Sequence, residues 1–192
     1  LTLFERIAFD RWALEDPADF MAWTLENQSR QYHRQLRIIV QNHPDLLSRV
    51  IDQNAGTPHH RQLLRTLATA SPDFALAEFR RLLPELTGRE FGYEAALSIL
   101  MKERPEELLA LFLDPAYAGN PELATVVLRH QLEVDFESAL EILLARSDGY
   151  QLLFSNNNRN PAITPELLLA RLPDFPEVWR DQLVSYPDRF RA

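Results

Sequence analysis

The chain has 192 residues, 46% of them apolar, and a formal charge of −8 at neutral pH, which is enough apolar content for a sizeable core and excludes a disordered chain. With no cysteine, it excludes disulfide scaffolds, thiolate zinc sites, iron–sulfur clusters and cysteine nucleophiles. The acidic balance also argues against a general nucleic-acid binder, because phosphate affinity comes chiefly from Lys and Arg displacing counterions.

In chain order, one device recurs: a helix is stopped by a proline that opens the next helix. Proline has no N–H to lose in a helix's first turn and cannot continue the helix before it. Clear copies lie at 11 to 25 with Pro17, 37 to 51 with Pro44, 64 to 79 with Pro72, 97 to 113 with Pro105, and 180 to 190 with Pro187. Two copies are degenerate. Residues 126 to 143 carry Val134 where proline is expected, and 152 to 172 insert residues around Pro161. The long step between Pro72 and Pro105 contains Leu86-Thr87-Gly88-Arg89-Glu90-Phe91-Gly92, whose glycines mark an extended connection.

Acidic residues just after the prolines, such as Asp45, Asp73 and Glu106, complement the positive helix N-terminus. Ser71, Asn120 and Thr164 stand as side-chain N-caps. Apolar side chains at Leu46, Leu47, Val50 and Ile51, and at Leu108, Leu109, Phe112 and Leu113, share one helical face each. These residues, with Trp12/Trp23 and Phe74/Phe79, are expected in the core. Short helices with such stripes bury them by stacking on neighbours. The predicted fold is therefore all-α, a right-handed αα-superhelix of about seven helix pairs filling residues 1–192. Approximate units are 1–30, 31–58, 59–90, 91–120, 121–148, 149–176 and 177–192.

Residues 160 to 188, NPAITPELLLARLPDFPEVWRDQLVSYPD, resemble the leucine-rich repeat variant family and, more loosely, HEAT repeats. The likeness lies in Asn-Pro, Thr-Pro-Glu-Leu-Leu and Pro-Glu-Val followed by Arg. The resemblance implies a right-handed superhelix of short helices and no catalytic residues, since fold does not carry function. The present repeat is longer than that family's and lacks its cysteine cluster. HEAT-like DNA glycosylases, which use an Asp and aromatic residues in a basic groove, give an alternative function, and a structural spacer within a longer protein gives another. The start, Leu1-Thr2-Leu3-Phe4-Glu5-Arg6, has no initiator Met and no signal-peptide pattern, so the chain is expected to be a fragment or to lack its ends. A core without disulfides suits the cytoplasm, and no apolar run is long enough for a membrane span.

Charge is unevenly spread. Residues 29 to 104 carry 11 basic and 8 acidic side chains, against 2 and 6 before them and 7 and 14 after, so a locally positive middle lies between acidic arms. Within it, Arg30, His33, Arg34 and Arg37, then His59, His60, Arg61 and Arg65, then Arg80 and Arg81 form the candidate partner-binding set. On stacked helices the arginines would line one face and grip an acidic protein segment, with nucleic acid the less favoured ligand. The adjacent His59-His60 makes a poor metal pair, because neighbours on a helix point about 100° apart. The run Asn156-Asn157-Asn158-Arg159-Asn160 suits a tight turn. Glu106/Glu107 and Asp135/Glu137 stand at helix starts and make no acid/base pair. No phosphate loop, nucleophile elbow or metalloprotease motif occurs. A non-catalytic binding or scaffold module without cofactor or metal is expected.

Overall fold

The computed structural model describes residues 2–27, 32–84, 92–117, 119–146, 149–150 and 170–185. Among these residues the regular elements are all helical: α1 Leu3–Glu15, α2 Pro17–Glu26, α3 His33–Asn42, α4 Pro44–Gln53, α5 Pro58–Ala70, α6 Pro72–Leu82, α7 Glu94–Glu103, α8 Pro105–Leu113, α9 Pro121–Val134, α10 Phe136–Leu144 and α11 Glu177–Ser185, with a 3-10 turn at Leu172–Asp174. None of the described helices is long and apolar enough to cross a membrane. The expectations placed on Arg30, Gly88, Pro161, Thr164, Pro187 and the run 156–160 fall outside the described residues.

A single residue joins the two helices of each pair, and its backbone is nearly the same each time. Asp16, His43, Ser71, Arg104 and Asp135 have φ/ψ of −138/70°, −141/51°, −149/82°, −142/60° and −145/85°. At each one the N–H donates to the carbonyl four residues back: Asp16 to Trp12, His43 to Ile39, Ser71 to Leu67, Arg104 to Leu100 and Asp135 to Gln131, at 2.7–2.9 Å. Its own carbonyl then accepts the first N–H bond of the next helix, from Phe20, Leu47, Ala75, Leu108 and Ala139. The residue thus completes one helix and begins another, leaving few backbone groups unpaired at the bend.

Four of the five linkers precede proline, whose ring forbids helical geometry in the residue before it. Asp135 takes the same geometry before Phe136. This corrects the equivalence drawn from spacing. Val134 is the last residue of α9 and is 69% exposed, and Phe136 fills the proline position. Counting residues between prolines misses that α9 is longer than the other first-of-pair helices.

Side-chain caps vary where the backbone device does not. Asp16, Thr57, Asn120 and Asp135 accept from the N–H of Asp19, His60, Leu123 and Ser138, whereas Ser71, expected as a cap, makes no such bond. Thr2 and Glu5 form a reciprocal capping box at α1.

The chain divides into two compact units, residues 1–126 and 127–192. In the first, the leading helices pack side by side in order, α1 on α3, α3 on α5 and α5 on α7, and each also packs on its own partner, α2, α4, α6 or α8. The core between these two layers holds Phe20, Met21, Leu36, Ile39, Leu47, Ile51, Leu64, Leu67, Phe79, Leu97, Leu100, Leu108 and Phe112. Leu46, Val50, Phe74, Leu109, Trp12 and Trp23 are half-buried. Leu113, expected inside, is 56% exposed at the last turn of α8. Rings of Phe9, Trp12, Phe20, Trp23 and Tyr32 close on one another around α1 and α2, with Trp23 and Tyr32 centroids 5.2 Å apart. The outer side of α1 leaves Leu3, Phe4, Ile7 and Leu14 exposed.

Polar ties also run from each pair to the next. In the second-of-pair layer, buried Glu78 of α6 accepts from Ser48 Oγ of α4 at 2.6 Å, while Arg81 of α6 donates both to Glu78 at 2.6 Å and to Asp52 of α4 at 2.7 Å. The linker Arg104 donates to Asp73 at 2.8 Å. Glu122 of α9 accepts from the N–H groups of Gly92 and Tyr93, both at 2.7 Å, and so caps the start of α7 from the following pair.

In the second unit, α10 buries Ala139, Leu140 and Leu143, and Trp179 of α11 meets the rings of Tyr150 and Phe175. Arg171 pairs with Glu137 and Asp174.

Two substitutions separate the weight of packing from that of the proline junction. Leu64→Ala, in the middle of the first unit, should lower unfolding free energy by about 2–5 kcal/mol. Pro72→Ala should cost less than about 1 kcal/mol, since Asp135-Phe136 makes the same bend without proline. Urea unfolding followed by helical circular dichroism measures both.

Candidate functional site

The basic candidates divide according to which layer they occupy. α3 is HRQLRIIVQN and α5 is PHHRQLLRTLATA. Neither contains a carboxylate, and the two helices pack against each other. Four arginines and three histidines therefore lie on adjacent elements with no acid of their own. Carboxylates are plentiful on the opposite layer, at Asp45 and Asp52 of α4 and at Asp73 and Glu78 of α6.

Exposure along the two helices defines the outward side. Arg34, Arg37 and Gln41 are exposed on α3, and Pro58, Arg65 and Thr69 on α5, with Arg61 and Gln62 half-buried. Spacings of three and four residues put each set on one face. Neither helix carries any of the large exposed apolar side chains found elsewhere in the chain. The face is polar and cationic.

Individual ties differ. Arg34 pairs with Asp10 of α1 at 2.8 Å, and Gln35 donates to the other oxygen of the same carboxylate at 2.7 Å. With the arginine side chain 68% exposed, the ion pair contributes no more than about 1 kcal/mol. Arg37 reaches across from α3, its Nε donating to the Ala70 carbonyl at the end of α5. A cation there meets the negative end of the α5 dipole and one of its unpaired carbonyls. Arg61 and Arg65 have no carboxylate partner among the described residues. Arg61 lies over the turn before α7, where a Cβ on Gly92 would come within 2.9 Å of its Cδ. Gly92 has φ +62°, a backbone conformation that favours glycine, and any side chain there would push the arginine stem aside.

The remaining candidates separate from this face. His60 is fully buried and so cannot touch a partner molecule. Its Nδ1 lies 2.7 Å from the Tyr93 hydroxyl and the rings cross at 80°; in the neutral ring the phenol donates to Nδ1. Its Nε2 is enclosed without a hydrogen-bond partner. His33 is half-buried at the start of α3, with an unpartnered Nδ1, and His59 is half-buried on α5. Arg80 and Arg81 belong to α6, on the other layer, where Arg81 is spoken for by Asp52 and Glu78. Arg80 is exposed, and its backbone carbonyl accepts from Tyr117. Among the described residues there is no group of three His, Asp or Glu side chains placed to hold a metal ion.

The sequence reading missed Glu78 and Tyr93. Glu78 lies mid-way along α6 and Tyr93 just before α7, and only the neighbouring pair shows why a carboxylate or phenol is there.

Comparison with protein-family models, with curated proteins and with solved structures finds no match to this chain.

Burial lowers the His60 pKa from 6.5, helped by the Arg81 and Arg61 charges and opposed by Asp52 and Glu78. The unfolded chain therefore takes up a proton near pH 6.5 while the folded one does not. Stability is full above that pH and is lost as pH falls from about 6.5 toward the depressed folded value. Unfolding free energies measured between pH 7.5 and 5.5 should decline in the wild type and decline less in His60→Gln. Equal slopes in the two proteins would remove His60 from this role.

Proposed function

We propose that the chain is a non-catalytic helical-repeat module, a right-handed HEAT-like stack of helix pairs, that holds an acidic segment of a protein partner along the outward side of α3 and α5. The observation that carries this reading is the absence of any carboxylate from two adjacent helices that bear Arg34, Arg37, Arg61 and Arg65. Such a face sets up a local positive potential on a chain whose formal charge is −8, and potentials of this kind steer and select oppositely charged partners. Support for the stack comes from ties that run only one pair onward: Asp10 to Arg34, Asp52 to Arg81, Asp73 to Arg104 and His60 to Tyr93. That is the pattern of a quasi-one-dimensional array.

Arginine suits the role, because its planar fork pairs with carboxylates through two donors and is always charged. A duplex DNA ligand is disfavoured by the surrounding acidic surface, which repels phosphate.

Binding of a labelled glutamate-rich peptide, followed by fluorescence anisotropy, tests the reading. Wild-type protein should bind the peptide and release it as NaCl is raised. Arg61→Glu with Arg65→Glu should weaken binding by about tenfold or more, the equivalent of about 1.4 kcal/mol. Arg80→Glu, an equal charge change on the other layer, should have little effect. Binding of duplex DNA in preference to the peptide would overturn the protein-partner reading.

A further inference from the structure

Among the described residues, four of the seven large apolar side chains that stand exposed belong to one helix, α1: Leu3, Phe4, Ile7 and Leu14. They are not scattered over its surface. Leu3 and Ile7 are four residues apart, Phe4 and Ile7 three, and Ile7 and Leu14 two turns, so they form one ridge on the helix. The ridge is about 16 Å long, eleven residues at the α-helical rise.

Asp10 interrupts that ridge, three residues after Ile7 and four before Leu14, and α3 neutralises it. Arg34 pairs with one oxygen of its carboxylate at 2.8 Å, and Gln35 donates to the other at 2.7 Å. Arg34 belongs to the exposed side of α3 together with Arg37, and its side chain stays 68% exposed while it holds Asp10. This ion pair joins two surfaces edge to edge, the apolar ridge of α1 and the cationic side of α3. The pair engages Arg34 through Nη2, and a guanidinium carries five donors, so the same side chain can take a second carboxylate.

Clustered apolar side chains left in water mark a surface that another molecule covers. The core of the first unit does not take up this ridge, because α1 turns its other side inward, with Ala13 buried and Phe9 and Trp12 half-buried. A purely acidic segment would leave the ridge wet, and a purely apolar one would cover cations without pairing them. An anionic bilayer is a poor fit. Glu5, Glu15, Asp16 and Asp19 stand exposed on the same helix pair, and a broad surface meets such carboxylates where a single segment passes between them.

We infer that the partner segment carries apolar side chains, which cover Leu3, Ile7 and Leu14 of α1, next to carboxylates that meet Arg34 and the other cations of the face. This inference rests on the acidic-partner reading above and adds an apolar anchor that charge alone does not supply. Charge steers the segment to the face. The anchor slows its release and, unlike the charge, is not screened by salt.

Two labelled peptides of equal charge test this by fluorescence anisotropy. One alternates Glu with Ser, and the other carries the same run with two leucines at each end. The leucine-ended peptide should bind the wild-type protein about tenfold or more tighter and keep more of its affinity as NaCl is raised. Ile7→Ser with Leu14→Ser should remove most of that advantage and leave the Glu/Ser peptide within about twofold of its wild-type affinity. Arg34→Gln should weaken both peptides by roughly threefold or more. The substituted side chains are exposed, and helical circular dichroism with urea unfolding confirms that each variant remains folded.

Equal affinity for the two peptides, or a leucine advantage that survives Ile7→Ser with Leu14→Ser, would overturn the inference while leaving the acidic-partner reading intact. Failure of both peptides to bind would overturn both. Binding to vesicles of phosphatidylserine and phosphatidylcholine, lost in the double variant and unaccompanied by any preference for the leucine-ended peptide, would assign the ridge to a membrane. Self-association of the wild type, lost in the same variant and again without that preference, would assign it to a second copy of the chain. Either result would overturn the inference.

Discussion

The structure depends on one constraint, that a single residue must end one helix and begin the next without leaving backbone groups unpaired. The five linkers meet it with the same φ/ψ, one N–H bond backward and one carbonyl bond forward. Because the bend is so short, the two helices of a pair are held close together, and in the first unit α1, α3, α5 and α7 pack on one another in order. In the first unit that relation gives two layers with the core between them. It also brings Arg37 of α3 to the C-terminal end of α5, where its Nε donates to the Ala70 carbonyl.

Charge is sorted between those layers in a way that packing alone does not require. On the second-of-pair side, Glu78, Arg81, Asp52 and Ser48 satisfy one another, as do Asp73 and Arg104. On the leading side, α3 and α5 collect cations with no carboxylate of their own, and among the described residues Asp10 of α1 pairs with Arg34. Like charges on adjacent helices repel, and burial of Leu36, Ile39, Leu64 and Leu67 beneath them offsets that cost. Local arrangements that work against stability while the rest of a fold favours it are where function is to be sought.

The pair of His60 and Tyr93 shows the other use of a polar group at a seam. It lies beneath the same face, ties α5 to the start of α7, and is enclosed. From the sequence, His60 and His59 look equivalent. Their environments differ because adjacent helical positions are rotated by about 100°, so one points into the seam and the other toward solvent.

The sequence by itself determined the helical content, the position of the bends at Pro17, Pro44, Pro72 and Pro105, and most of the buried stripe, since proline stereochemistry and 3.6-residue periodicity act within a few residues of chain. The absence of acids from the segments around Arg34, Arg37, Arg61 and Arg65 was also open to view. Tertiary structure decided that Phe136 and not Val134 occupies the degenerate junction, that Leu113 is exposed, and that His60 is enclosed. It also placed Arg81 among carboxylates and, among the described residues, left Arg65 without one. These outcomes depend on which side chains the neighbouring pair brings within a few ångströms, across 25 to 37 residues of sequence, and no local pattern encodes that proximity.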